Sequence, residues 1–292
     1  MRGPFEDKKM IVSILTPDSK LPNLAAMKIS AYHKEKGDEV WLNMPLIPSD
    51  KKYISILFDW TQFPIVCPIT DELGGPGVNP SIRLSREIEA CKPDYSLYPN
   101  MDYSLGYTYR ACHRGCSFCK VKDMNEPTDH HPIWSFHDRR FKKIALMNNN
   151  TFEDPYWHKT FEEIWDEGLI LKDVSGFDAR LLTEGKIEAL IKTRFDGQIH
   201  FAWDSVKDEK VLKGLRLLID AGFSRSKIAC YVLIGFDSTP EEDLFRIETL
   251  RGLGVDPFVM PFNRRDSYQR KLARWVNHKA IFKSVPWSEY RA

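Results

Sequence analysis

The stretch YVLIGFDSTPEEDLFRIETLRGLGV, from Tyr231 to Val255, decides the fold. Its opening residues complete a strongly apolar run from Ile228 to Ile234, which reads as a strand. A glycine and a polar turn follow, and the spacing then predicts a helix over Glu241–Leu253. One strand feeding one helix is the repeating unit of a parallel α/β protein.

Working outward, the same unit recurs on both sides. Strands are expected at Ser104–Arg110, Lys143–Met147, Ile170–Val174, Ile199–Trp203 and Pro257–Met260. Helices are expected at Tyr156–Glu167, Leu182–Thr193 and Asp208–Ala221, the last with an apolar stripe of Val211, Leu215 and Leu218. With Ile228–Ile234 this makes six strands alternating with helices, which indicates a barrel or a doubly wound sheet. In such folds ligands sit at the carboxyl ends of the strands. The residues there are polar or Gly-rich: Asn148, Asn149 and Asn150, then Asp178 and Arg180, Asp204, Gly235 and Asp237, and Asn263.

Nearer the N-terminus, Met10–Leu15 and Val40–Leu42 read as strands flanking a helix marked by Leu24, Met27 and Ala31. Tyr53–Phe58 is a further strand, Asp71–Pro80 a loop, and Ile82–Cys91 a helix, with a boundary near the prolines of residues 92–100. Gly74, Gly75 and Gly77 in that loop suit either close approach of a phosphate or a simple turn.

Composition excludes several classes. The 42 Lys and Arg against 41 Asp and Glu leave no global bias toward nucleic acid or membrane. No apolar run reaches the ~18 residues of a membrane span. The N-terminal MRGPFEDKKMIVSIL is not the pattern of a signal peptide. Six cysteines, half of them clustered, do not form a secreted disulfide framework, and a reducing cytoplasm is the expected compartment.

The cluster lies in ACHRGCSFCK, where Cys112, Cys116 and Cys119 directly follow the expected Ser104–Arg110 strand. Thiolates suit zinc and iron–sulfur clusters. Zinc would take a fourth ligand from His113, His130 or His131. Three thiols at spacings of four and three, with no fourth nearby, favour a cluster with one iron left open.

With Phe118 just before the last cysteine, this pattern resembles the signature of the radical S-adenosylmethionine enzymes. Tyr231–Val255 is similar to that family's fifth barrel strand and following helix, and the resemblance covers roughly residues 100–263. It implies a partial (β/α)6 TIM-like barrel preceded by a small Rossmann-like α/β domain. The domains would be 1–92, 93–263 and a C-terminal extension, 264–292. It also implies a [4Fe–4S] cluster on Cys112, Cys116 and Cys119, with S-adenosylmethionine on the fourth iron. An electron from a flavodoxin or ferredoxin would cleave the sulfonium, and the 5′-deoxyadenosyl radical would abstract hydrogen from substrate. Phe118 and Gly235 would lie near the adenine, Arg180 would hold the cosubstrate carboxylate, and Asp178 or Asp204 the ribose. Asn148, Asn149 and Asn150 stand where many members carry Gly-Gly-Glu, a departure that leaves no charge for the ammonium. The alternative for each of these polar residues is an ordinary loop or cap residue.

Residues 1–92 resemble the domain that precedes the barrel in cobalamin-binding members. The Asp-x-His-x-x-Gly motif of those members is absent around His33, where Ala31 and Lys36 stand, so no cobalamin is expected. Cys67 and Cys91 are too few for the methylthiotransferase cluster and read, with Cys230, as small buried hydrophobes.

From Arg264 onward eight basic residues are interleaved with Tyr268, Trp275, Phe282, Trp287 and Tyr290. Arg264 and Arg265 suit an anionic group of a small-molecule, nucleotide-like substrate, with Trp275 or Trp287 stacking a base and His130, His131 and Arg139 adding charge. The favoured alternative is a helix from Tyr268 to Phe282 docking Leu272, Trp275 and Ile281. At the level of function, two further readings stand: a zinc-bearing nucleic-acid-binding module without catalysis, and a radical enzyme that modifies a protein residue.

Overall fold

The computed structural model describes residues 9–62, 71–124 and 126–291. The chain is α/β with parallel sheets and separates into two compact units. The first runs to Gly106 and adds Cys112–Glu126 and Trp134–Asp138; the second takes Tyr107–Ala111, Pro127–Ile133 and everything from Arg139. Within the first unit, Tyr95 ties the segment beyond residue 92 together: its hydroxyl donates to the Phe136 carbonyl at 2.7 Å and accepts from the Leu105 N–H at 3.0 Å.

In the first unit β1 (Ile11–Leu15), α1 (Leu24–Glu35), β2 (Glu39–Leu42), β3 (Lys51–Ser55) and β4 (Asp71–Gly74) form a parallel sheet of order β2-β1-β3-β4. Central β1 is apolar because both its faces are covered. Val12, Ile14, Ala26, Ile29, Tyr53 and Ile88 form the core. Asn23 caps α1 by accepting from the Ala26 N–H. His33 ties α1 to β3: Nδ1 meets Asp38 Oδ2 at 2.7 Å and Nε2 meets the Tyr53 hydroxyl at 3.0 Å.

Two expectations fail here. Asp71–Gly74 is a strand, not a loop, because pairing with β3 overrides a composition poor in β formers. The helix expected over Ile82–Cys91 shrinks to α2 (Arg86–Glu89), because the Ser85 side chain caps its start by accepting from the Ile88 N–H. β5 (Ser104–Gly106) is also shorter than expected.

The second unit alternates β6 (Lys143–Leu146), α3 (Trp157–Asp166), β7 (Ile170–Asp173), α4 (Glu184–Lys192), β8 (Ile199–Ala202), α5 (Glu209–Asp220), β9 (Ile228–Ile234), α6 (Pro240–Leu253) and β10 (Asp256–Pro261). β6 pairs with β7, β8 with β9 and β9 with β10, all parallel; a bridge from Leu171 to Phe195 links β7 to the approach to β8. Neighbours thus follow chain order. α6 opens with a capping box, Thr239 with Glu242, behind Pro240 at its first turn. Along β9, Cys230, Val232 and Ile234 are buried, while Tyr231 and Leu233 point to the other, more open face.

The tail docks, as the favoured alternative had it, but as two helices, α7 (Ser267–Asn277) and α8 (Lys279–Ser284), broken at His278. Leu272, Trp275 and Phe282 are buried, with Phe282 in the role expected of Ile281. Among the described residues no helix is long and apolar enough to cross a membrane.

Candidate functional site

The cysteine loop belongs to the first unit. His113 and Arg114 form a turn, Gly115 is left-handed (φ +59°), and the Cys119 N–H donates to the Cys116 carbonyl at 3.0 Å. Lys122 Nζ donates to the Ser117 carbonyl at 3.1 Å, and Lys120 pairs with Asp59 at 2.7 Å. Cys112, Cys116 and Cys119 are partly exposed and none takes part in a disulfide. Among the described residues no group of three or more His, Cys, Asp or Glu side chains is gathered to hold a metal. The donor set nevertheless fits an iron–sulfur cluster by its chemistry: three soft thiols on one accessible eight-residue span. Phe118, 37% exposed, stands on the same loop.

The remaining expected residues lie on strand ends of the second unit. Asn148, just past β6, is fully buried and its amide is spent on protein partners. Its Oδ1 accepts from the N–H groups of Thr108 and Tyr109 at 2.9 and 3.1 Å. Its Nδ2 donates to the hydroxyls of Thr108 and Thr151 at 2.8 and 3.3 Å. With these four bonds it clamps the segment that runs into Cys112. It also explains why β5 stops early, since those N–H groups go to a side chain and not to a strand ladder. Asn149 Nδ2 donates to the Arg110 carbonyl at 2.5 Å. Asn150 is buried, and its Oδ1 has no hydrogen-bond partner, an acceptor left over at the strand end.

Arg180 is likewise engaged by protein partners. Its Nε and Nη2 bind Asp178 at 2.7 and 3.1 Å, and its Nη1 binds Asp208 at 2.7 Å. Burial alone would lower its pKa, but the bonds and charges of Asp178 and Asp208 raise it. The cation expected to receive a carboxylate already faces two. Gly214 of α5 brings this about, because a Cβ there would collide with the Ala179 carbonyl.

Asp204, beyond β8, has a carboxyl raised by burial; the Leu233 N–H, at 3.2 Å, and the charges of Arg246 and Arg180 offset this only in part. Gly235, at the end of β9, has φ +71°, and a Cβ there would strike the Gln269 side chain of α7. Gln269 in turn accepts from the Asn263 N–H at 2.9 Å.

Arg264 and Arg265 are exposed. Trp275 is not available to stack a base: it is buried, and its Nε1 donates to the Val285 carbonyl at 2.8 Å. Trp287 packs among Tyr268, Trp275 and Tyr290. His130 meets Asp154 at 2.7 Å, and Arg139 pairs with Glu167. Gly75 and Gly77 press on the backbone of Ile56 and Phe58, so tight packing accounts for these glycines. Cys230 is buried as expected and burial pushes its thiol up, whereas Cys91 is only partly buried and donates to the Glu87 carbonyl at 3.3 Å. Cys67 lies outside the described residues.

One group escaped the sequence reading. His200, in the middle of β8, faces Asp173 of β7 and stacks on Tyr231 of β9. The available signal was a polar residue alternating with apolar ones in IHFA. No protein-family model matches the chain, and no curated protein matches it.

Proposed function

We propose that the chain is a radical S-adenosylmethionine enzyme and that the strands and helices of its second unit belong to a partial (β/α)6 barrel. The observation that carries this is the loop with Cys112, Cys116 and Cys119 immediately after Ala111, ahead of alternating strands and helices whose parallel ladders, β6–β7 and β8–β9–β10, each pair neighbours in chain order. Chain-order pairing of this kind is compatible with a wound barrel.

Cys112, Cys116 and Cys119 would hold a [4Fe–4S] cluster. When bound, the cluster supplies the electron, drawn from a flavodoxin- or ferredoxin-like donor, that cleaves S-adenosylmethionine reductively. Phe118 offers an aromatic face for the adenine. The orphan acceptor of Asn150 suits an ammonium or hydroxyl donor, and Asp204 suits ribose hydroxyls. Asn148 would act by holding the segment that runs into Cys112, and Arg180 through its pairs with Asp178 and Asp208. The substrate is proposed to be polar and nucleotide-like, with exposed Arg264 and Arg265 toward its anionic group.

The test is anaerobic reconstitution of the full chain with iron and sulfide, followed by reduction with S-adenosylmethionine present. Iron bound through the three cysteines together with release of 5′-deoxyadenosine supports the reading. One zinc per chain with no iron would support the nucleic-acid-binding module instead.

A further inference from the structure

The strands of the second unit have two unlike faces. One is buried: Leu171, Phe201, Cys230, Val232 and Val259 are each about 1% exposed or less. The alternate positions carry His200, Tyr231 and Leu233, which are half-buried, and Phe258 and Met260, which are 46% and 45% exposed. A parallel strand normally buries both faces, so this open apolar face is exceptional and invites a ligand.

Its register makes it a surface and not a scatter of residues. Phe258 lies directly opposite Tyr231, and Met260 opposite Leu233. His200 pairs with Ala229, which places it diagonal to Tyr231. The imidazole stacks on the Tyr231 ring, centroids 5.2 Å apart and planes 11° from parallel. Phe258 meets Tyr231 edge-on at 5.6 Å and 90°.

The polar groups are oriented. Asp173 is nearly fully buried, its side chain 4% exposed. Its Oδ2 accepts from the His200 N–H at 2.6 Å and lies 3.2 Å from His200 Nδ1, while Oδ1 accepts from the Gly176 N–H at 2.8 Å. Asp173 thus fixes the imidazole through one nitrogen and leaves Nε2 for another partner. The Tyr231 hydroxyl, which burial and then the Asp173 charge hold in its protonated form, is a second hydrogen-bonding group beside it.

We propose that this face binds a flat, uncharged heteroaromatic ring of nucleobase size, its edge held by His200 Nε2 and the Tyr231 hydroxyl and its plane packed on Phe258 and Met260. An aromatic and thioether wall favours a π face, and two neighbouring hydrogen-bonding groups favour a ring with a polar edge over a plain hydrocarbon. The inference deepens the function proposed above by naming the part of the substrate that is recognised. His200 and Tyr231 are then binding residues, and Asp173 is a positioning residue acting through His200.

The test is equilibrium binding of uridine, cytidine, thymidine and guanosine to the full chain, with and without reconstituted iron, with ribose and ribose 5-phosphate as controls. At least one nucleoside should bind saturably where ribose does not. Tyr231→Phe should weaken that binding about threefold to tenfold. Phe258→Ala should weaken it about tenfold or more. Asp173→Asn should weaken it in the same direction as His200→Ala, with no further loss in the double variant. Thermal melts establish that each variant is folded, and Phe258→Ala, at a half-exposed position, keeps the test open should His200→Ala unfold. Binding of ribose 5-phosphate with all four nucleosides silent, or nucleoside binding unchanged in folded Phe258→Ala and Tyr231→Phe, overturns the proposal. Iron loading and 5′-deoxyadenosine release without nucleoside binding would sink this inference alone. Nucleoside binding without iron loading would sink only the function proposed above.

Discussion

The guanidinium of Arg180 closes on the carboxylate of Asp178 through two hydrogen bonds, Nε to Oδ1 at 2.7 Å and Nη2 to Oδ2 at 3.1 Å. The side chains are only 15% and 6% exposed, so each needs the other. Arg180→Ala leaves Asp178 charged, buried and without this partner. Breaking a buried pair from one side costs about 3 kcal/mol or more. Chemical denaturation should show that loss, and an unchanged midpoint would mean that the pair carries no structural load.

Asn148→Ala strands the N–H groups of Thr108 and Tyr109. Each buried donor left unmet costs about 1–3 kcal/mol. Asn149→Ala loses one partly buried bond to a carbonyl and should cost about 1 kcal/mol. The ranking, read from unfolding curves, is the test; equal effects would contradict the clamp assigned to Asn148.

Asp204 gives a pH signature. Burial raises its pKa in the folded state, so across the window above the ordinary Asp value the folded chain holds a proton that the unfolded chain has released. Stability therefore falls as pH rises through that window, and the penalty is complete above the raised value. Asp204→Asn keeps an acceptor for the Leu233 N–H and removes the charge. The variant should be more stable than wild type at neutral pH, with the gain fading in acid below the usual Asp range. A gain that grew on acidification would contradict this.

Gly235→Ala places a methyl group against Gln269 at a residue with φ +71°. The left-handed backbone alone costs about 1–2 kcal/mol. The bond from the Asn263 N–H to Gln269 should be disturbed with it, which faster hydrogen exchange at Asn263 would report.

These cases mark what the sequence made legible. β9 was readable to the residue because its apolar run is long, and α6 because a polar, Pro-containing start precedes it. β4 was not, since Asp71–Gly74 carries no strand pattern and owes its form to pairing with β3. The break at His278 interrupts a basic, aromatic stretch whose periodicity runs through it. In the candidate site the three cysteines announced themselves by type and spacing within one loop. The structural roles of Asn148 and Arg180 did not, because Thr108 lies 40 residues from the one and Asp208 lies 28 from the other. His200 was passed over for the same reason, Asp173 being 27 residues away.

The most direct test of the central claim is iron content after anaerobic reconstitution, compared across single cysteine variants. Wild type should bind about four irons with a broad brown absorbance. Cys112→Ala, Cys116→Ala and Cys119→Ala should each lose the intact cluster and 5′-deoxyadenosine release, whereas Cys91→Ala and Cys67→Ala keep both. Iron lost from Cys91→Ala as completely as from Cys116→Ala, or zinc in place of iron in the wild type, would contradict the account.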